Sequence, residues 1–310
     1  MDQLHTEILA SNDSDLITAT NFLANGRLVA FPTETVYGLG ADATNNVAVA
    51  HVFAAKGRPN FNPLIVHVTD LNAAKKIAVF NQAELQLAKA FWPGPLTLVL
   101  PLRSGHNIAP LVSAGLNSVA LRVPAHPVAR DLLRKYGGPI AAPSANISGQ
   151  ISPTTAAHVI GSLSGKVTAI IDGGPCEVGL ESTIIGGAPT ALLRPGGLPV
   201  ESIEKLIGSL TPAGKTITAP GQLTSHYAPW ATVRINAVNT SPEEVMLGFG
   251  PMESDLNLSI AGNLIEAAAN LFGHLHHLDK LRRPIAVAPV PEFGLGHAIN
   301  DRLKRAAALR

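Results

Sequence analysis

The chain has 310 residues, 46% hydrophobic and only 15% charged, with a formal net charge of +1. That length allows two domains or one large one around a sizeable core; the balance excludes disorder and a strong overall nucleic-acid field, yet allows a local basic cleft. A single cysteine, Cys176, excludes an internal disulfide, while acids near the start and the lack of any apolar run of roughly 20 residues point to a soluble cytoplasmic protein.

In chain order, Asp13 or Ser14 caps a helix carrying Leu16, Ile17 and Leu23, stopped by Gly26, and 28–31 reads as a strand. A second helix runs from about 46 to Gly57 with Val49, Val52 and Phe53 on one face. A strand at 64–68, helices near 71–78 and 82–91, and a strand at 96–100 follow, the last after Pro93-Gly94-Pro95. Further strands are expected at 118–123, 140–142, 167–171, 182–185 and 191–193, with helices near 127–135, 154–163 and 201–208. This alternation predicts an α/β fold, a twisted mixed sheet with helical cover, over 1–210. Residues 211–231, rich in proline, glycine and hydroxyls, read as a linker. Residues 232–310 read as a small Rossmann-like α/β domain, with strands at 232–235, 245–248, 256–260 and 285–290 and helices at 264–279 and 298–309.

The most informative stretch leaves the strand at 28–31: Pro32, then Thr33, Glu34, Thr35 and Tyr37 with Gly38 and Gly40. Hydroxyls and a carboxylate at the end of a buried strand mark a docking place for something polar, although an ordinary capped loop has the same composition. Lys56 and Arg58 come one helix later; cations suit a helix C-terminus, and with Gly57, Pro59, Asn62 and Pro63 they also shape a loop for negative charge. The stretch 140–149 repeats the form with Pro143, Ser144, Asn146 and Ser148. Ser152 reads as a helix N-cap with Pro153 at the first helical position, leaving first-turn amides free for an anion. Glu181, Ser182 and Thr183, and later Arg194-Pro195-Gly196, add hydroxyls and a base between short strands. Arg122 ends a strand and can hold a carboxylate with two parallel hydrogen bonds, or simply a surface ion pair. His67, within an apolar strand, also reads as a core histidine.

Each motif alone is weak; five that share one form carry the inference. Other patterns fall away. Gly214-Lys215-Thr216 lacks the upstream glycine and strand of a P-loop. His274, His276 and His277 have no completing metal ligand nearby, and Cys176 has no adjacent histidine.

Taken in order, 32–39, Lys56-Gly57-Arg58-Pro59 with Asn62-Pro63-Leu64, 93–97, Pro143-Ser144-Ala145-Asn146 with Ser148-Gly149, Glu181-Ser182-Thr183 and Leu193-Arg194-Pro195-Gly196 resemble the YrdC-like threonylcarbamoyl-AMP synthase family in its longer two-domain form. Ser225-His226-Tyr227-Ala228-Pro229 and the tail from Gly294 to Arg302 extend the resemblance to the C-terminus. It implies a nucleotidyltransferase that forms threonylcarbamoyl-AMP and pyrophosphate from L-threonine, bicarbonate and ATP, with Mg2+ accompanying ATP. The product would pass to a downstream threonylcarbamoyl transferase acting on tRNA, with tRNA itself bound indirectly or weakly and no membrane involved. The resemblance further implies Lys56, Arg58 and Arg194 as catalytic cations, joined at ATP by Asn62, Ser118, Ser144, Asn146, Ser152 and Tyr227. Thr35, His67, Arg122, the Ala142 backbone and Ser182 would hold threonine, with no protein-held metal. Tyr227 is expected to fold back over the ATP site. Two other readings stay open: an RNA-binding module without adenylating activity, against which the 5% aromatic content stands, and an adenylating enzyme that takes carbamoyl phosphate.

Overall fold

The computed structural model describes residues 4–59, 61–187, 189–212, 214, 219 and 226–308. Most of the expected linker, including Lys215, Thr216 and Ser225, lies outside the described residues, as does position 309 of the expected last helix.

The first unit comprises β1 (Glu7–Ala10), α1 (Asp13–Ala24), β2 (Val29–Phe31), β3 (Gly38–Asp42), α2 (Asn46–Lys56), β4 (Ile65–His67), α3 (Leu71–Ile77), α4 (Gln82–Phe91), β5 (Leu96–Pro101), β6 (Ser118–Arg122), α5 (Pro127–Tyr136), β7 (Ile140–Ala141), α6 (Ala156–Leu163), β8 (Ala169–Asp172), β9 (Thr183–Gly186), β10 (Ala191–Arg194), α7 (Val200–Ile207) and β11 (Thr211–Pro212). Helix ends follow local chemistry. Asn12, one residue before the expected cap, accepts from the Asp15 amide, and Asn45 accepts from the Val47 and Ala48 amides to start α2, which Gly57 stops at φ 59.

The strands form one eleven-stranded mixed sheet in the order β1-β8-β2-β3-β7-β4-β6-β5-β9-β10-β11. Side chains alternate across it. Val29 and Phe31 face the layer of α1 and α5, while Ala30 faces the larger layer of α2, α3, α4, α6 and α7. On the first of these faces the helices stop short: among the described residues Ile65, Val99, Ala120 and Ile184 gather with Ala219 and Leu193. That shallow face is where a site can open. The strand β11 takes the first residues of the expected linker into the sheet edge, pairing Thr211 with Ala191.

The second unit is a four-stranded parallel sheet, β12 (Val233–Arg234), β15 (Ile285–Val287), β13 (Val245–Gly248) and β14 (Leu256–Asn257) in spatial order, with helices α8 (Leu264–Asp279) and α9 (Leu295–Ala306). Helix α9 begins three residues earlier than expected, at a Gly294 turn with φ 54. The two units share a core: Val36, Ile151, Leu180 and Tyr227 cluster with Leu247, Leu271, Phe272 and Ile299. Gly179, at φ +71, lets the first unit approach α8, since a Cβ there would sit 2.5 Å from the Ala268 carbonyl oxygen. No described helix is long and apolar enough to cross a membrane.

Candidate active site

Strand ends bring the separate motifs together. Parallel β4 and β6 set His67 beside Arg122. Antiparallel β5–β6 pairing and parallel β5–β9 pairing bring Ser182, just ahead of Thr183, to that same end. The exit of β7 runs back along β4, the Ala142 amide donating to the Ile65 carbonyl at 2.9 Å, and Ser144 bridges Gly38 of β3. Gly196 permits the last approach: a Cβ there would lie 2.3 Å from the Glu181 carbonyl oxygen, so the turn after Arg194 can lie directly on the 181–183 backbone. Thr35, Arg58, His67, Arg122, Ala142, Ser144, Ser182, Arg194 and Tyr227 thereby line one cavity of about 50 Å³, together with Glu181 and His226.

Positive charge dominates its wall. Arg122 donates from Nη2 to Glu34 Oε1 (2.6 Å), from Nη1 to Thr35 Oγ1 (2.9 Å) and from Nε to the Gly94 carbonyl (3.2 Å). Burial alone would raise the Glu34 carboxyl, but the Arg122 charge overcomes it and holds it below the usual range. Arg194 clasps the Ser182 carbonyl through Nε (3.2 Å) and Nη2 (2.9 Å). Arg58 donates to the main chain, Nε to Asn62 (3.1 Å) and Nη2 to Pro63 (2.8 Å), and burial pushes its pKa down to about 10. Burial likewise pushes His67 and His226 to about 3, so both rings are neutral at ordinary pH.

Other expected residues stand behind the wall. The buried Lys56 ammonium donates to the carbonyls of Ser144 (2.6 Å) and Asn146 (2.5 Å), tying that loop to α2, and burial, then the Arg58 charge, holds its pKa well below the usual lysine range. Asn62 and Asn146 are buried there too. Ser152 is not a helix cap: α6 starts at Ala156 with Thr155 accepting from the His158 amide, so the expected first-turn anion site at Ser152-Pro153 does not form. The Ser152 hydroxyl instead donates to Glu181 Oε1 at 2.5 Å. Ser118 is apart. It starts β6, about 13 Å along the strand from Arg122, and lines a separate, largely apolar cavity of about 590 Å³ with Phe80, Leu100 and Leu193.

Sequence reasoning quoted Glu181 and His226 within motifs without giving either a role. The signal was a carboxylate flanked by strand residues, which burial turns into an arginine anchor. Glu181 also accepts from Arg302 Nε (2.9 Å); burial would raise its carboxyl, but Arg302, Arg194 and the Ser152 hydrogen bond together hold it below the usual range. Among the described residues, buried Asn62 Oδ1, His67 Nδ1, Asn146 Oδ1, His226 Nδ1, Tyr227 Oη and Arg302 Nη2 have no hydrogen-bond partner. Such atoms are expensive unless a ligand satisfies them.

The described residues hold no group of three or more His, Cys, Asp or Glu able to hold a metal; Glu181 on the cavity wall and Glu34 beside Arg122 are both engaged by arginines.

Residues 21–196 match the family model described as "Telomere recombination", and 198–308 the one described as "Threonylcarbamoyl-AMP synthase, C-terminal domain". A threonylcarbamoyl-AMP synthase of Pyrococcus abyssi (strain GE5 / Orsay) is 44% identical over 321 residues, covering 94% of each chain. One of Bacillus subtilis (strain 168) is 39% identical over 336 residues, covering 98% of this chain and 96% of the relative. The crystal structure of P. abyssi Sua5 complexed with L-threonine matches with a TM-score of 0.90 at 40% identity, over 97% of this chain and 98% of that one. Matched along nearly its whole length in sequence and in fold, the chain belongs to the threonylcarbamoyl-AMP synthase family.

Proposed function

We propose that the chain forms threonylcarbamoyl-AMP and pyrophosphate from L-threonine, bicarbonate and ATP. The observation that carries this reading is that Arg58, Arg122 and Arg194 line one cavity beside neutral His67 and the hydroxyls of Ser144 and Ser182. Cations gathered this densely suit a substrate of several negative charges beside a smaller carboxylate. The related P. abyssi protein was crystallised with L-threonine.

In this reading Arg122 meets the threonine carboxylate with the second hydrogens of its two Nη groups, the first being held by Glu34 and Thr35. Thr35, His67, the Ala142 backbone and Ser182 take the amine and hydroxyl. The amine attacks the bicarbonate carbon, and water is lost to leave a carbamate. A carbamate oxygen then attacks the α-phosphorus as its bond to the pyrophosphate oxygen breaks. Arg58 and Arg194 stabilise charge growing on the α-phosphoryl and leaving oxygens, with Ser144 as a neutral donor. Lys56, Asn62, Asn146 and Ser152 act by fixing the loops that carry these groups, and positioning supplies much of the rate. Magnesium would come with ATP and lend charge neutralisation to its phosphates.

Tyr227, 1% exposed and held at φ 62, lines the cavity with Arg58 and Arg194 and in this reading acts as a lid that opens for ATP. Its return would exclude water from a hydrolysable mixed anhydride. The division 1–210 catalytic, 211–231 linker and 232–310 small domain, the cytoplasmic location, and hand-over to a transferase acting on tRNA belong to the same reading.

The test is pyrophosphate release with the product identified by mass. Release that needs both threonine and bicarbonate but no RNA supports the proposal. A requirement for RNA, or equal turnover with carbamoyl phosphate in place of bicarbonate, overturns it.

A further inference from the structure

The tail motif ends in Arg302 on α9 of the second unit, yet this side chain is wholly buried against the first. Its Nε donates to Glu181 Oε2 at 2.9 Å, and Nη1 donates to the Pro195 carbonyl and to Asp301 Oδ2, each at 2.8 Å. The guanidinium carbon lies 5.1 Å from the centre of the Tyr227 ring. Glu181 precedes Ser182 and Pro195 follows Arg194, so a single planar group from the second unit fixes the chain neighbours of two cavity residues and one face of a third. Arg302 itself is not on the cavity wall. Contacts from α8 include Phe272, 5.6 Å from the Tyr227 ring, and His276, whose Nε2 lies 3.2 Å from the Ser152 carbonyl oxygen and whose ring stacks on His158.

We infer that Arg302 is a positioning residue through which the C-terminal domain sets the geometry of the cavity, holding Glu181, Pro195 and Tyr227 in one arrangement. Apolar packing alone could join the two units; it would not need a buried guanidinium to reach across the boundary to three separate segments. The fork matters more than the charge. A lysine ammonium can satisfy Glu181, but it has no planar face for Tyr227 and no rigid second arm for Pro195.

The inference rests on the proposed reaction only for its rate readout, so ATP affinity by calorimetry and the thermal midpoint are measured alongside. Arg302→Met strands the Glu181 carboxylate and should lower both midpoint and activity. Arg302→Met/Glu181→Gln removes both charges and should bring the midpoint back to within about 3 °C of wild type, as replacing a buried pair often does. Its kcat/KM should nevertheless stay about tenfold or more below that of Glu181→Gln alone, because Pro195 and Tyr227 remain unheld. Equal rates for those two proteins would overturn the inference. Should the double variant fail to fold, Arg302→Lys decides: a near-normal midpoint with kcat down about tenfold supports it, and a wild-type rate overturns it. If the wild-type protein releases no threonine-dependent pyrophosphate, the proposed function fails and ATP affinity becomes the judge. A dissociation constant raised about tenfold in Arg302→Lys supports a positioning role, and an unchanged one removes it.

Discussion

Replacing Arg58 by methionine separates function from stability because the two should respond differently. Arg58 is 8% exposed and its hydrogen bonds go to main-chain carbonyls. Burial lowers its pKa from the ordinary arginine value to about 10, which corresponds to about 3 kcal/mol against the charged form in the fold. For a base whose folded pKa lies below its unfolded one, that penalty is present at all neutral pH values and is relieved only as pH climbs through about 10 towards the ordinary arginine pKa. Arg58→Met removes the penalty and also removes two charge-assisted hydrogen bonds, at about 1.5–3 kcal/mol each. The two nearly cancel, to within about 2–3 kcal/mol, so the thermal midpoint should move by no more than roughly 5 °C in a chain of this size. Activity should behave otherwise. If Arg58 stands beside the leaving pyrophosphate as proposed, losing it removes about 2–3 kcal/mol of transition-state stabilisation, near a hundredfold in rate. Pyrophosphate release at saturating threonine and bicarbonate measures the second effect, and thermal unfolding the first. Activity within about threefold of wild type would remove Arg58 from the chemistry; a midpoint lowered by more than about 10 °C would make it a structural residue.

Two further outcomes follow from the same geometry. Tyr227→Ala should raise ATP hydrolysis relative to threonylcarbamoyl-AMP formed, read as the ratio of AMP to product; an unchanged ratio counts against closure by Tyr227. Stability should fall as pH drops below neutrality. His67 and His226 are held near 3 by burial, so the unfolded chain takes up their protons first, from about 6.5 downward. Glu34 and Glu181, held below the usual range by arginines, add stability that is lost as pH passes through their lowered values. Urea unfolding at pH 7, 5.5 and 4 tests this, and a flat free energy across that series refutes it.

The sheet was largely legible because its strands are short apolar runs bounded by proline or glycine, and local chemistry decides such boundaries. The strand β3 was not: Gly38-Leu39-Gly40-Ala41-Asp42 has no β-branched residue, and it pairs because small residues let β2 and β7 close on it. A Cβ on Gly40 would lie 2.9 Å from the Phe31 ring and 3.0 Å from Ile140. Ser152-Pro153 misled for the opposite reason. Its local pattern is a good helix start, but a buried carboxylate 29 residues away claims the serine hydroxyl, and a tertiary partner overrides a local preference. Glu181 and Arg302 were each visible within quoted motifs. Their pairing spans 121 residues, a distance at which one sequence carries no periodic signal.

That long-range pairing also explains why the cavity is assembled from so much charge. Around it lie the buried basic side chains Lys56, Arg58, Arg122, Arg194 and Arg302, against the buried carboxylates Glu34 and Glu181 and the half-buried Asp301 beside Arg302. Each carboxylate is shared: Glu34 also accepts from the Ala125 and His126 amides, and Glu181 from Ser152. Buried cations in excess of anions destabilise a folded chain. A fold keeps such an excess where a ligand completes the neutralisation, and the anion that does so must bring more than one negative charge. A triphosphate meets that demand; a threonine carboxylate, matched to Arg122, brings a single charge. In the proposed reading the nucleotide is therefore the substrate that answers most of this buried positive charge.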